Sequence, residues 1–181
     1  MTGKLEKTNE SYSLAKIVGI KLCEILHDKH KKDIICLMPT NLYGKNDRSD
    51  PLKSHVIPSL IKKFIFAKKN NTEVKIWGSG KSVREFIHVD DVAEAILITL
   101  NAKKNTLNKI MLHKMPIFNV GSKESLSIKK LAFLIKKLTL YEGKIFFDTS
   151  YPEGVINKNL DNTRMRSLNW KPKIKLIDGL K

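Results

Sequence analysis

The stretch Asp33-Ile34-Ile35-Cys36-Leu37-Met38-Pro39-Thr40-Asn41-Leu42-Tyr43-Gly44 decides the fold class. Its first half is a continuous apolar run of strand length, the pattern of a strand buried on both faces of a parallel sheet. Just before it, Leu14, Ile17, Val18, Leu22, Ile25 and Leu26 recur at helical spacing. That spacing predicts a helix from Asn9 to about Lys29, with Thr8 or Asn9 at its N-cap. A helix feeding such a strand implies an α/β protein. Pro39 to Gly44 reads as a turn that stops the strand, and in open α/β sheets ligands bind beyond the carboxyl ends of strands. Function is sought there first.

Working outward, Val56, Ile57, Leu60, Ile61, Phe64 and Ile65 predict a second helix, and Glu73 to Trp77 a short strand closed by Gly78-Ser79-Gly80. Glu85 to Val89 predicts another strand, with Asp90 capping a helix through Leu100. Asn101 to Met115 is weakly patterned and reads as a surface connection. Ile117 to Val120 predicts a buried strand, Ser127 the cap of a helix through Leu138, Lys144 to Phe147 an extended segment, and Thr163 to Leu168 a short helix.

At 181 residues and 41% hydrophobic, the chain has enough apolar material for a real core. Its apolar runs are too short to span a bilayer and its start is polar, so no membrane association and a cytoplasmic location are expected. Cys23 and Cys36 lack metal-ligand spacing and read as buried thiols. The formal net charge of +16 would suit a nucleic-acid partner, but only Arg48, Arg84, Arg164 and Arg166 are arginines, and the lysine doublets are scattered. That distribution describes a solvated surface and argues against nucleic acid. No GxGxxG turn occurs; Gly78-Ser79-Gly80-Lys81-Ser82 resembles the end of a phosphate loop, but Lys75 stands where its first glycine belongs.

Tyr12 and Lys16 are one helical turn apart on one face. A lysine cation beside a phenol favours the phenolate, so the pair can give or take a proton while hydride moves at an adjacent carbon. On spacing alone the signal is weak, and a solvated helix face is the better explanation of the pair. The surrounding sequence weighs the other way. The run from Thr8 to Glu24 is followed by Met38-Pro39-Thr40-Asn41-Leu42-Tyr43-Gly44, Ser54-His55-Val56-Ile57-Pro58, Trp77-Gly78-Ser79-Gly80 and Arg84-Glu85-Phe86-Ile87-His88-Val89-Asp90-Asp91. In order and nearly in spacing, these segments resemble the GDP-L-fucose synthase branch of the extended short-chain dehydrogenases. The likeness continues through Asn119-Val120-Gly121 and Phe147-Asp148 to Leu168-Asn169-Trp170, and so covers essentially the whole chain.

The resemblance implies an incomplete Rossmann-type domain without its N-terminal half, plus a smaller α/β substrate-binding region. Residues 1–44, with segments near 86–100 and 117–120, would belong to the first, and most of 45–181 to the second. The implied activity converts GDP-4-keto-6-deoxymannose to GDP-L-fucose with NADPH, by two epimerisations and a ketone reduction. Tyr12 would donate the proton in reduction, with Lys16 lowering its pKa and holding the cofactor ribose, and His55 would be the acid in epimerisation. Lys16, Pro39, Thr40, Asn41, Leu42 and His55 would meet NADP(H). Lys63, Trp77, Arg84 and Lys158 would hold the GDP-sugar.

Without the resemblance, His55 reads as a helix cap, Pro39 to Leu42 as a strand-ending turn, and the rest as solvated cations or a packed aromatic. His88, Asp90 and Asp91 read as strand-end packing and capping, not as a metal site. Two departures stand out: Lys63, where the branch commonly has arginine, and Gly154-Val155-Ile156-Asn157-Lys158, where it usually reads Gly-Thr-Pro-Arg-Lys. The branch's glycine-rich loop, catalytic serine and base cysteine align upstream of Met1, and its C-terminal helix is cut short at Lys181. The expectation is therefore a fragment inactive alone, with a separate N-terminal half as a candidate partner and homodimerisation as in the family. The competing readings are a different sugar-nucleotide epimerase or dehydratase, and a non-catalytic nucleotide-sugar or anion-binding remnant.

Overall fold

A computed structural model describes residues 4–47, 54–111, 115–151 and 155–181; Arg48 and Gly154, both singled out above, lie outside them. A 3-10 turn at Lys7–Asn9 leads into α1 (Glu10–His30), with Asn9 at the N-cap and Lys31 closing the helix at φ 52°. The helix runs where its apolar period predicts, yet none of its described side chains is buried. Leu14, Val18, Leu22 and Ile25 stay exposed along one stripe.

Two parallel pairings follow from the apolar runs. β1 (Cys36–Pro39) pairs with β5 (Ile117–Val120), and β3 (Val74–Trp77) with β7 (Ile145–Asp148). β1 was expected to be buried on both faces; it is half-buried, because among the described residues only β5 pairs with it. The two cysteines are likewise half-buried, correcting their reading as buried thiols. Burial, together with Cys23 beside it, still pushes the Cys36 thiol up to about 11. Pro39 ends β1 as expected, but the next residues are not a turn. Asn41–Tyr43 form β2, which lies parallel to β4 (Val83–His88) with Asn41 opposite Phe86.

The strand β4 organises the rest. Its first half also pairs antiparallel with β6 (Ser125–Ser127) and parallel with the two-residue β8 (Asn157–Lys158). Neither β6 nor β8 was read from the sequence, since two or three residues carry no alternation to detect. The cap of α3 (Val89–Asn101) is also corrected: His88, not Asp90, holds that position, its ring accepting the Asp90 N–H at 3.3 Å. Asp91 is buried and accepts the Lys173 and Ile174 N–H groups, while its main-chain oxygen accepts from Trp170 Nε1. Within the expected surface connection lies α4 (Lys104–Ile110), anchored by Leu107 alone among its buried residues.

Two cores result. One packs α2 (Val56–Asn70) and α5 (Ile128–Leu138) with Phe86, Val74, Ile76 and Tyr141 around a fully buried Phe64. Ser127 caps α5 as predicted, accepting from the Lys130 N–H at 3.2 Å, a contact worth about 1 kcal/mol. The other core gathers Ile87, Val92, Phe118, Val120 and Trp170 between α3, β5 and α6 (Thr163–Arg166). The last helix, α7 (Leu176–Gly179), buries Leu176 in the first core.

Candidate active site

β4 crosses from one core to the other, and a cavity of about 310 Å³ opens beside it. Asn41 and Leu42 of β2, His55 before α2, Trp77 at the end of β3 and Arg84 of β4 all line it. These five residues, predicted from four separate sequence segments, therefore share one site. The turn between Trp77 and β4 is made by Gly78 (φ 80°) and Gly80 (φ 73°), a conformation that suits glycine. A strand follows that turn, so its likeness to a phosphate loop ends there.

Arg84 is aimed by main-chain acceptors: Nη1 donates to Val83 O at 2.8 Å and to Val155 O at 2.6 Å. Lys158 stands opposite it in the β4–β8 register. Lys63, at the middle of α2, places Nζ 5.3 Å from the centre of the Trp77 ring and donates to Lys75 O at 2.9 Å. Partial burial holds its pKa below the ordinary lysine value. Lys63 thus stands over an indole that is 61% exposed and Arg84 lines the same cavity as that indole, whereas Lys63 and Lys158 are not among the cavity's lining residues. Tyr151, which the sequence reading missed, stacks on that indole at 4.6 Å between ring centroids and 12° between planes. No spacing rule links positions 77 and 151; only the parallel β3–β7 pairing brings their neighbourhoods together.

His55 occupies the N-cap position of α2, but its side chain makes no capping hydrogen bond. It faces the cavity, with Nδ1 3.6 Å from Asp47 Oδ1, within ion-pair reach. Capping does not account for this ring. Thr40 and Asn41 are fixed by side-chain donation to the main-chain oxygen of Glu85, at 3.0 and 2.8 Å. Tyr12 and Lys16 form their pair on α1, with Nζ 5.3 Å from the phenol centroid, but both are exposed and neither lines the cavity. Pro39 and Thr40 do not line it either. A larger groove of about 620 Å³ beside Tyr43, Lys62 and α7 holds none of the predicted site residues.

Parallel strand pairs flanked by helices, with a cavity beside them, are the parts of an α/β protein of Rossmann-like type. Residues 1–121 match the NAD dependent epimerase/dehydratase family, and the chain belongs to that family. It is 42% identical to GDP-L-fucose synthase 1 of Arabidopsis thaliana over 99% of its length and 53% of that protein. It is 41% identical to the GDP-L-fucose synthase of Escherichia coli K12, covering 99% of this chain and 56% of that one. Among solved structures it resembles MlghC, a GDP-mannoheptose C4 reductase from Campylobacter jejuni with NADP bound. That match has a TM-score of 0.82 and 33% identity, over 99% of this chain and 57% of that one. The chain spans about half the length of the curated relatives it matches.

Proposed function

We propose that this chain carries the GDP-sugar site and the tyrosine-lysine pair of a GDP-L-fucose synthase, a cytoplasmic NADPH-dependent epimerase and reductase of GDP-4-keto-6-deoxymannose. The convergence of Asn41, Leu42, His55, Trp77 and Arg84 on one cavity, with Lys63 and Lys158 beside it, carries the reading. Arg84, Lys158 and Lys63 meet the diphosphate, and Trp77 supplies an apolar face. A hydrogen next to a ketone is acidic, so epimerisation requires proton return at carbon, and the exposed imidazole of His55 beside Asp47 is suited to it. In reduction, Tyr12 gives its proton to the ketone oxygen, and Lys16 stabilises the phenolate left behind.

Bound NADPH would supply the hydride. Tyr12, Lys16, Pro39, Thr40, Asn41, Leu42 and His55 would hold its nicotinamide end in this reading, and of these Asn41, Leu42 and His55 line the cavity. The sequence has no glycine-rich turn for the pyrophosphate. The exposed apolar stripe of α1 supports a covering surface in the complete enzyme, supplied by an N-terminal half or a second copy of the chain.

Calorimetry on the purified chain is expected to show GDP binding and little NADPH binding. Addition of a separately expressed N-terminal half from a fucose synthase is expected to restore NADPH binding and turnover. Tight NADPH binding without GDP binding would overturn the reading. The likeness to a GDP-mannoheptose C4 reductase favours a second reading, reduction of a different GDP-4-keto sugar, which product analysis of the restored enzyme separates.

A second expectation concerns Lys63. Burial lowers its pKa, so at alkaline pH part of the population is neutral. A phosphate beside it stabilises the charged form, and GDP binding should then take up protons. The readout is a heat of binding that depends on the buffer's ionisation enthalpy, a dependence lost in Lys63→Met. Buffer-independent heats in the unmodified chain would remove Lys63 from the site.

A further inference from the structure

Glu85 lies on β4 between two residues that line the cavity, Arg84 and Phe86, and so its side chain points to the opposite face. It is 1% exposed. Its Oε1 accepts the Lys123 N–H at 2.8 Å and its Oε2 the Leu160 N–H at 3.0 Å. Both oxygens of this buried side chain thus accept from main-chain N–H groups of two other segments. A buried charge is expensive to desolvate, and hydrogen bonds offset that penalty only when their geometry is good. Neither helix capping nor sheet pairing requires an acid at this position. Its main-chain oxygen meanwhile accepts from Thr40 Oγ1 and Asn41 Nδ2. One residue therefore ties together the β1–β2 junction, β4, the turn after β5 and the end of β8. Gly121 makes room for it: a Cβ there would collide with Oε1.

We infer that Glu85 is a positioning residue, which holds the end of β8 against β4 so that Lys158 stands opposite Arg84, and which acts on a bound nucleotide diphosphate through Lys158. The inference rests on the GDP-sugar reading of the cavity. β8 is two residues long, and besides its pairing with β4 it is held by Val83 N–H donating to Ile156 O and by Ser125 Oγ donating to Asn159 Oδ1. Leu160 follows Lys158 by two residues, so its tether sets where that lysine's main chain runs. The sign of the charge agrees with an indirect role, since a carboxylate in contact with the diphosphate would repel it.

The test is a double-mutant cycle on the 181-residue chain, with GDP as the probe. Glu85→Gln keeps the size and one acceptor but sets an NH₂ group against one of the two N–H donors. It is expected to weaken GDP binding about tenfold and to lose amide-exchange protection at Leu160 or Lys123. In a Lys158→Met background the same change is expected to have no further effect on GDP affinity. Effects of the two substitutions that add, or an unchanged affinity in Glu85→Gln, would assign Glu85 a purely structural role and overturn the inference. Should Glu85→Gln lose its cooperative melt, Gly121→Ala displaces the same carboxylate by one methyl group and is read in the same cycle. A wild-type chain that binds no GDP overturns the site reading and the Glu85 role with it, an outcome distinct from additivity in a chain that does bind.

Discussion

Arg84→Ala is expected to weaken GDP binding by about 30- to 100-fold, the loss that follows from removing a charge-assisted, multi-donor contact to phosphate. Two of the guanidinium's hydrogen bonds are spent on Val83 O and Val155 O, and these orient the plane instead of leaving it to rotate. The remaining donors face a cavity lined by Asn41, His55 and Trp77. Pre-orientation of this kind lowers the entropy lost when ligand binds. Arg84→Lys keeps the charge but has no planar fork to span both carbonyls and the ligand, so most of the loss should remain. Calorimetric titration at low and at physiological salt reads both variants. The alanine variant should also show a shallower salt dependence, because one phosphate-facing cation is gone. A change smaller than about threefold in Arg84→Ala would place the diphosphate elsewhere.

Much of this site could be read from residues, and the remainder could not, for a geometric reason. α1, α2, α3 and α5 follow the 3.6-residue apolar period, and β1, β3 and β5 follow short apolar runs, so local pattern was enough. β2, β6 and β8 exist because β4 is there to pair with them; a two- or three-residue segment has no period of its own. α4 escaped notice because only Leu107 among its residues is buried. His88 was passed over as a cap because imidazole is an uncommon N-cap acceptor, and the aspartate two residues later offered the commoner chemistry. In the site, individual residues were recognisable by family resemblance, but their partnerships were not. That Lys158 faces Arg84, that Tyr151 stacks on Trp77 and that Glu85 reaches Lys123 and Leu160 are consequences of strand pairing across 38 to 75 positions of sequence.

The same dependence on tertiary pairing makes the first core the point where stability and function meet. Phe64→Ala is expected to lower stability by about 3–5 kcal/mol, since the ring is 0% exposed and its removal leaves a cavity as well as lost burial. Few compensations are at hand. α1 contributes no buried side chain, so the described chain relies on its two cores, and a loss of this size is a large share of the 5–15 kcal/mol typical of a domain. Phe64 also packs edge-on to Tyr141, at 5.5 Å between centroids, whose hydroxyl donates to Thr72 O at 2.6 Å and so fixes the turn between α2 and β3. α2 carries Lys63 and begins at His55; β3 ends at Trp77. A slackened contact between them should shift Lys63 away from the indole before the chain unfolds globally. Thermal melting is therefore expected to fall by about 10 °C, and GDP affinity to fall even well below the new midpoint. Phe64→Leu, which refills most of the volume, should recover most of both. A Phe64→Ala chain that melts early but binds GDP with unchanged affinity at low temperature would show that the cation-indole arrangement is held by the strand pairing of β3 and β7 alone.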